Sequence, residues 1–273
     1  MQEIGIAELK NLTEIIKLKF GYDFKDYAMS SFKRRIIRIL ELKKLENVEA
    51  LVVQIEKNVF TKEDFLHEIT VNVTELFRDP SFWRVLIKVI PNLFLNQEKI
   101  KIWHAGCSSG EEVYSMLVLL KEMDLLDKVE IIASDIDKCI LAKAKEGKIA
   151  IRNMELNEKN YIRYNPTGDL KKYFIYDKDF AYFDKDLLSK VSFREINLAE
   201  IKAFTKCDMI LCRNVMIYFN QNLQNEVIKL FHEMLFTYGY LAIGSKESII
   251  WSEYANKFIV VNNEEKIYKK YKE

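Results

Sequence analysis

The stretch from Ile102 to Met116 reads IWHAGCSSGEEVYSM and decides the fold. A short apolar run ends in a loop that contains Gly106 and Gly110, and a helical pattern follows. A strand that passes through a glycine loop into a helix is typical of a nucleotide-binding turn in an open α/β sheet. The helix, however, opens with Glu111 and Glu112, two carboxylates that would repel a phosphate group.

Strand-like and helix-like segments alternate after this turn. The alternation predicts a parallel, doubly wound α/β sheet. The last segment, KFIVVNNEEKIYKKY, has two strand-like runs about a polar turn and predicts an antiparallel pair. The predicted strands are 99–106, 129–137, 191–198, 207–214 and 240–248, and the predicted helices are 111–123, 137–148 and 221–235.

Residues up to about Val71 have helical periodicity throughout. Four helices are expected there, of which the first stops near Gly21 and the second has Ser30 or Ser31 as its N-cap. We therefore predict an all-helical N-terminal domain, residues 1–71, before an α/β domain, residues 72–273. A further helix starts where Asp79 can cap and Pro80 suits the first helical position. Within the second domain, the stretch 164–190 is rich in Tyr and Phe and predicts a small inserted β subdomain.

Composition excludes several classes of protein. Lys and Arg number 42 and Asp and Glu number 41, so the net charge gives no indication of nucleic-acid binding. The four cysteines form no C-x-x-C pair, and with three histidines they predict no metal site. Because no apolar run is long enough to cross a bilayer, we expect a cytoplasmic protein that works beside a membrane without inserting into it.

Polar residues follow the predicted strands at the edge where ligands bind in such sheets. Asp135, Asn197 and the pair Arg213 and Asn214 all occupy such positions. Each also has a simpler interpretation, since Asp135 or Asp137 can cap a helix. The glycine loop alone is compatible with an ordinary strand-to-helix turn.

The charges favour a cationic ligand without phosphate. Two like charges ~4 Å apart repel by about 4 kcal/mol at an effective dielectric of 20, so Glu111 and Glu112 disfavour a pyrophosphate. Ser108 also replaces the second glycine of the dinucleotide-binding pattern. S-adenosylmethionine carries a sulfonium, an ammonium and a ribose diol, and Asp135 is placed to accept the ribose hydroxyls. The alternative is that the two glutamates only complement the helix dipole.

Four motifs in order, NVTELFRDPSFW, WHAGCSSGEEVYS, ASDID and CRNVMIYF, resemble those of the chemotaxis receptor glutamate methyltransferases, the CheR family. The resemblance implies a Rossmann-like class I methyltransferase sheet that uses S-adenosylmethionine and releases S-adenosylhomocysteine. It also implies that glutamates on the cytoplasmic helices of methyl-accepting chemoreceptors are esterified, by an enzyme recruited to membrane receptor arrays. We expect a monomer.

The resemblance also implies site residues. Arg78 and Tyr218 would lie nearest the transferred methyl group, and the family's serine at position 104 is replaced here by His104. The aromatic insertion corresponds to a β subdomain that docks a receptor's C-terminal pentapeptide in some members. The cofactor contacts would be Asn72, Thr74, Arg78, Glu112, Asp135, Asn197, Leu198, Arg213 and Asn214.

The predicted helix FKRRIIRIL is basic. Arg34 and Arg38 are four residues apart on one face and Arg35 is adjacent, so a substrate helix with several glutamates would be attracted to them. The alternative is an ordinary solvated helix face.

There are three alternative functions. A nucleic-acid methyltransferase is disfavoured because the chain has neither a Pro-Pro-aromatic loop nor a Pro-Cys nucleophile. A small-molecule carboxyl methyltransferase is an alternative that the sequence leaves open, although it would give the helical region no function. A non-catalytic module that binds S-adenosylmethionine or S-adenosylhomocysteine also stays open.

Overall fold

A computed structural model of the protein describes residues 4–72, 74–95 and 97–271. Val73 of the first motif and the outermost residues of the two predicted domains lie outside these ranges. None of the helices within them has the length and apolar character that a bilayer crossing requires.

Four helices form the first part of the chain, as predicted: α1 (Ile6–Phe20), α2 (Met29–Lys43), α3 (Val48–Glu56) and α4 (Lys62–Ile69). Their apolar faces share one core, to which α1 contributes Leu9, Leu12 and Ile16 at helical spacing. Helix α1 ends at Gly21, whose φ of 79° is the left-handed C-cap conformation.

The predicted N-cap of α2 is wrong. The helix begins one residue before Ser30, and Ala28 is the N-cap residue without a side-chain hydrogen bond. Ser31 is buried inside the first turn, where its hydroxyl accepts a hydrogen bond from Arg34 Nη2 at 3.2 Å. The backbone contacts of Ala28, described below, determine where this helix begins.

Seven strands form the main sheet: β1 (Ile100–Ala105), β2 (Val129–Asp135), β6 (Val191–Glu195), β7 (Cys207–Cys212), β8 (Leu235–Ile243), β9 (Phe258–Asn262) and β10 (Ile267–Lys270). Their order in the sheet is β6-β2-β1-β7-β8-β10-β9. The first five strands are parallel, and β10 is antiparallel to both of its neighbours, as predicted. Helices α6 (Glu111–Glu122), α7 (Lys138–Glu146) and α10 (Gln221–Met234) connect strands.

Strand order reverses between β1 and β7 because the chain leaves β1 toward one side of the sheet and later returns to the other. Alternate residues of β1 face opposite cores, so Ile102 belongs to one hydrophobic cluster and Trp103 to the other. Both faces are therefore covered, and a ligand has access only at the ends of the strands.

The structure contains a small three-stranded inserted sheet, which extends beyond the predicted stretch 164–190. Strands β4 (Phe174–Tyr176) and β5 (Phe180–Phe183) lie within 164–190, whereas β3 (Lys148–Ala150) precedes it and pairs with β5. Helix α8 (Ile151–Tyr164) separates β3 from them, and the short helix α9 (Lys185–Leu188) follows β5. A strand of three residues has too little periodicity to be recognised in a sequence.

The helical region is docked beside the carboxyl end of β7. Tyr27 forms an isolated antiparallel bridge with Phe219, and their ring centroids lie 5.3 Å apart. The Ala28 N–H donates to the Tyr218 carbonyl at 2.9 Å, so the first turn of α2 is held next to Tyr218.

The Asn220 side chain forms two hydrogen bonds, one that caps a helix and one that reaches the helical region. Its Oδ1 accepts from Leu223 N–H at 3.0 Å, which caps α10, and its Nδ2 donates to Asp26 Oδ1 at 3.2 Å. We predict that Asn220→Ala lowers the free energy of unfolding by about 1 kcal/mol through the lost cap, and speeds amide hydrogen exchange between residues 22 and 28.

Asn47→Ala is the matched control, since Asn47 caps α3 by accepting from Ala50 N–H at 2.9 Å. It should cost a similar free energy, measured by urea unfolding, without faster exchange at 22–28. Equal exchange rates there in both variants would contradict the docking role.

Candidate active site

A cleft opens at the carboxyl ends of the parallel strands, where their order reverses. It encloses about 1160 Å³ of empty space, a volume that includes open solvent at its mouth. Arg35 and Tyr218 line it, whereas Arg34 and Arg38 do not. All nine residues predicted to contact the cofactor line it as well: Asn72, Thr74, Arg78, Glu112, Asp135, Asn197, Leu198, Arg213 and Asn214.

The glycine loop after β1 forms the floor of the cleft. Gly106 has a φ of 82°, and a Cβ there would lie 2.4 Å from Val215 Cγ2, so only glycine fits. The Ser108 N–H donates to Asp135 Oδ2 at 2.8 Å, and the Asp137 N–H donates to Asp135 Oδ1 at 3.1 Å. Burial raises the pKa of Asp135. Each carboxylate oxygen keeps a second lone pair for a ligand hydroxyl.

The helix cap after β2 belongs to the other aspartate. Asp137 accepts from Cys139 N–H at 2.8 Å and from Ile140 N–H at 3.2 Å, which caps α7. Asp135 is therefore left to face the cleft, as predicted, because its neighbour has the capping role.

Arg213 joins two acids at the centre of the site. Its Nη1 donates to Glu112 Oε2 at 3.1 Å and its Nη2 donates to Asp79 Oδ2 at 2.7 Å, with 2% of the Arg213 side chain exposed. Glu112 Oε1 lies 2.9 Å from His104 Nδ1. Burial alone would raise the pKa of Glu112, but the His104 hydrogen bond and the charge of Arg213 outweigh it and lower the pKa.

Asp79 corrects one expectation. It is the N-cap residue of α5 (Pro80–Val89), with Pro80 at the first helical position as predicted, but its side chain makes no capping hydrogen bond. The carboxylate turns instead to Arg213, because both partners of that hydrogen bond are charged, whereas the backbone N–H of a helix cap is a neutral donor.

Glu111 and Glu112 do not act together. Glu111 is absent from the lining of the cleft, and its carboxylate accepts a hydrogen bond from Ser109 Oγ at 2.6 Å. Only Glu112 lines the cleft, and its ion pair with Arg213 partly neutralises its charge. The electrostatic opposition to a pyrophosphate is therefore weaker than the sequence suggested.

The segment that carries Arg78 is strained and firmly held. Phe77 and Asp79, on either side of Arg78, have φ values of 49° and 55°, which non-glycine residues rarely adopt. The Phe77 N–H donates to Ser115 Oγ at 2.8 Å, and Trp83 Nε1 donates to the Arg78 carbonyl at 3.0 Å. Such strain persists only where the surroundings enforce it, which is typical of functional segments.

Sequence reasoning gave no role to Glu247, which follows β8 at the same edge of the sheet. Its Oε1 accepts from Ile217 N–H at 3.2 Å and its Oε2 from Asn214 N–H at 3.1 Å. It also accepts from Gly244 N–H. The carboxylate thus ties the loop after β8 to the loop after β7. Its position just after a buried strand was the signal that could have identified it.

Unpartnered polar atoms in the cleft fit a polar ligand. Among the described residues, three buried side-chain atoms lack a hydrogen-bond partner: His104 Nε2, Ser108 Oγ and Arg213 Nε. Ser108 and Arg213 line the cleft, so a ligand with hydroxyl, amine or carboxylate groups can satisfy them. In the same residues no cluster of three or more His, Cys, Asp or Glu side chains is arranged to hold a metal ion.

The doubly wound sheet and this cleft belong to a methyltransferase that binds S-adenosylmethionine. Residues 72–267 match the family model of the CheR methyltransferase SAM-binding domain, and residues 7–70 match the model of its all-alpha domain. The chain therefore belongs to the CheR methyltransferase family.

Relatives in three bacteria match most of the chain. A candidate methyltransferase, Cher3, of Pseudomonas putida is 38% identical over 264 residues, 96% of each chain. The chemotaxis protein methyltransferase of Borreliella burgdorferi is 33% identical over 257 residues, 89% of this chain and 88% of its own. That of Listeria innocua is 31% identical over 241 residues, 87% of this chain and 88% of its own.

The buried carboxyl of Glu111 predicts a pH-dependent stability. Burial raises its pKa from the ordinary 4.5 to about 7. Since the folded protein holds this proton more tightly than the unfolded chain does, the contribution of Glu111 to stability falls as pH rises from 4.5 to about 7 and is then constant. Glu111→Gln should therefore gain up to about 3 kcal/mol relative to the parent protein at pH ~8 and almost nothing at pH ~4.5.

Urea unfolding at both pH values measures this difference. Glu233→Gln, a change at an exposed position of α10, should leave the pH dependence as it is. Parallel pH profiles for the parent protein and Glu111→Gln would show that the Glu111 carboxyl is not perturbed.

Glu247→Gln tests the tie between the two loops. A glutamine amide nitrogen cannot accept the backbone hydrogen bonds that one carboxylate oxygen receives, and each buried N–H left unpaired costs about 1–3 kcal/mol. We predict lower stability by that amount and weaker binding of S-adenosylhomocysteine, measured by calorimetry. Glu253→Gln, at an exposed position farther along the same loop, should change neither quantity. Binding unchanged by Glu247→Gln would disprove the positioning role.

Proposed function

We propose that the protein transfers the methyl group of S-adenosylmethionine to glutamate side chains on the cytoplasmic helices of chemoreceptors, forming methyl esters. Two of the relatives above are named chemotaxis protein methyltransferases. The observation that carries the proposal is the position of Arg35. Its half-buried guanidinium lines the same cleft as Glu112 and Asp135, so one cleft contains a group that attracts anions and groups that attract cations.

Within this cleft, the acids would serve the cofactor. Asp135 would accept the ribose hydroxyls and Glu112 would face the cationic end of the molecule. Asn72 and Thr74 lie between α4 and α5, while Asn197, Leu198 and Asn214 follow strands β6 and β7. These five surround the same space and would complete the contacts.

Tyr218 and Arg78 would hold the reacting carboxylate. Burial raises the pKa of Tyr218, although Arg35, Arg78 and Arg34 act on it in the opposite direction. Its hydroxyl therefore keeps its proton at neutral pH and can donate a hydrogen bond to an anion. The same three guanidinium groups attract a carboxylate to the place where that hydroxyl lies.

The reaction requires that the reacting groups be aligned, and it requires no proton transfer. A glutamate has an ordinary pKa near 4.3 and is already ionised at neutral pH, so it needs no general base. S-adenosylmethionine supplies a methyl group on a positively charged sulfur, which leaves as a neutral thioether. The protein's task is to align the carboxylate with that group and to exclude water, which can contribute roughly 7–11 kcal/mol.

The helical part, residues 1–71, would recognise the substrate, and residues 72–273 would form the transferase domain with its β insertion. Arg34 and Arg38 are exposed on α2 beside half-buried Arg35, so acidic helices would be attracted along this face. The enzyme would act as a monomer in the cytoplasm at receptor arrays, without binding nucleic acid or inserting into the membrane.

The test uses methyl-labelled S-adenosylmethionine and receptor-containing membranes. Label that mild base releases as volatile methanol identifies a carboxyl ester on protein. Label that resists base would contradict the proposal, as would transfer only to small carboxylic acids. Tight cofactor binding with no transfer to any receptor would favour the non-catalytic module.

Tyr218→Phe tests the proposed reacting geometry. Loss of one hydrogen bond to a charged group costs about 1.5–3 kcal/mol, so we predict a turnover lower by roughly tenfold to a hundredfold at saturating cofactor. The affinity for S-adenosylhomocysteine should stay within about twofold of the parent protein. Tyr238→Phe, at a side chain that is 63% exposed, should change neither. Unchanged turnover in Tyr218→Phe would remove the tyrosine from the mechanism.

A further inference from the structure

A second groove adjoins the cofactor cleft. It runs between α2 and α4 on one side and α7, α8 and the small sheet on the other. Arg35, Thr70 and Asn72 line both spaces, so the groove leads directly into the cleft at Arg35.

The groove is lined by cations without partners. Within the part of the chain that the structure describes, no ion pair or side-chain hydrogen bond reaches Arg35 and Arg38 of α2, Lys143 of α7 or Arg152 of α8. The whole chain is balanced, with 42 basic and 41 acidic residues, so this clustering is not a matter of composition. Four unpaired cations around one groove favour an acidic partner.

The acids that line the groove offset only part of its positive charge. Glu146 lies 3.8 Å from Lys148, and Glu111 is hydrogen-bonded to Ser109. Burial raises the pKa of Glu111 to about 7, so its carboxyl is largely protonated below that pH. Glu68 completes the acids in the lining.

The α2 wall has the spacing of a helix-binding surface. Arg35, Arg38 and Leu42 line the groove and are separated by three and four residues, so they form one stripe of about 10 Å. A partner helix that lies along such a stripe presents its own residues at i, i+3 or i+4, and i+7. The two cations and the apolar side chain of this stripe are therefore complementary to a partner helix that has acidic residues next to an apolar residue.

We propose that this groove holds the acidic substrate helix, and that Lys143 and Arg152 bind its carboxylates from the wall opposite α2. The inference rests on the proposed function, because it assigns the groove to the same substrate. A glutamate on that helix enters the cofactor cleft past Arg35, while its acidic neighbours pair with the cations of both walls. The part of the chain after α4 thus contributes to substrate recognition together with the helical region.

Charge reversal at matched positions tests the proposal. Lys143 and Lys145 both lie in the last turn of α7, and only Lys143 lines the groove. Arg152 and Arg163 likewise share α8, and only Arg152 lines the groove. The probe is a fluorescein-labelled helical peptide with glutamates along one face, together with a second peptide that has glutamines in their place.

Binding is measured by fluorescence anisotropy at low salt. Lys143→Glu and Arg152→Glu, each as a single variant, should raise the Kd for the glutamate peptide roughly fivefold. Lys145→Glu and Arg163→Glu should change it less than twofold, and the difference should shrink at high salt. The glutamine peptide should bind weakly to every variant. Calorimetry with S-adenosylhomocysteine, which should give the same affinity in all four variants, verifies that each is folded.

Equal weakening by groove and control variants would overturn the proposal, because the effect would then come from net charge alone. Unchanged peptide binding in Lys143→Glu and Arg152→Glu would overturn it as well. If receptors were methylated normally by these two variants, the groove would be excluded while the proposed function stood. If the peptide bound through the groove but receptor membranes yielded no methanol, the proposed function would fail and the groove would remain an acidic-helix site.

Discussion

The structure of the site depends on one buried guanidinium. Arg213, at the carboxyl end of β7, binds Glu112 of α6 and Asp79 before α5, and it lies 4.0 Å from the centre of the Phe82 ring. Removing one partner of a buried ion pair leaves an uncompensated charge, which costs about 3–5 kcal/mol. Three separate elements are thus fixed at one point. Their positions determine where Glu112 and Arg78, which is next to Asp79, line the cleft.

Much of the site was predictable because parallel strands end at one edge of a sheet. Asp135, Asn197 and Asn214 follow their strands in sequence, so the rule places them together without any knowledge of contacts. Glu111 and Glu112 show the limit of such reasoning. Adjacent residues of a helix point about 100° apart, so the two glutamates need not face the same cleft. The local sequence does not say which one, and only the family resemblance selected Glu112.

What could not be predicted comes from contacts between distant parts of the chain. Asp79 has the sequence pattern of an N-cap, but a partner 134 residues away takes its carboxylate. Ser30 and Ser31 also have that pattern, yet the backbone contacts of Tyr27 and Ala28 with Phe219 and Tyr218 determine where α2 begins. Strand β3 is too short to leave a periodic signal and exists because β5 pairs with it. In each case tertiary structure overrides a local preference.

The most direct test of this account is calorimetric titration of S-adenosylhomocysteine into the parent protein and Arg213→Lys. Lysine keeps the positive charge but lacks the planar fork that reaches two carboxylates at once. If the bridge orients the cofactor-facing acid, affinity should fall by about tenfold or more while circular dichroism shows an intact fold. Equal affinity in the two proteins would show that charge alone suffices and that the bridge does not organise the site.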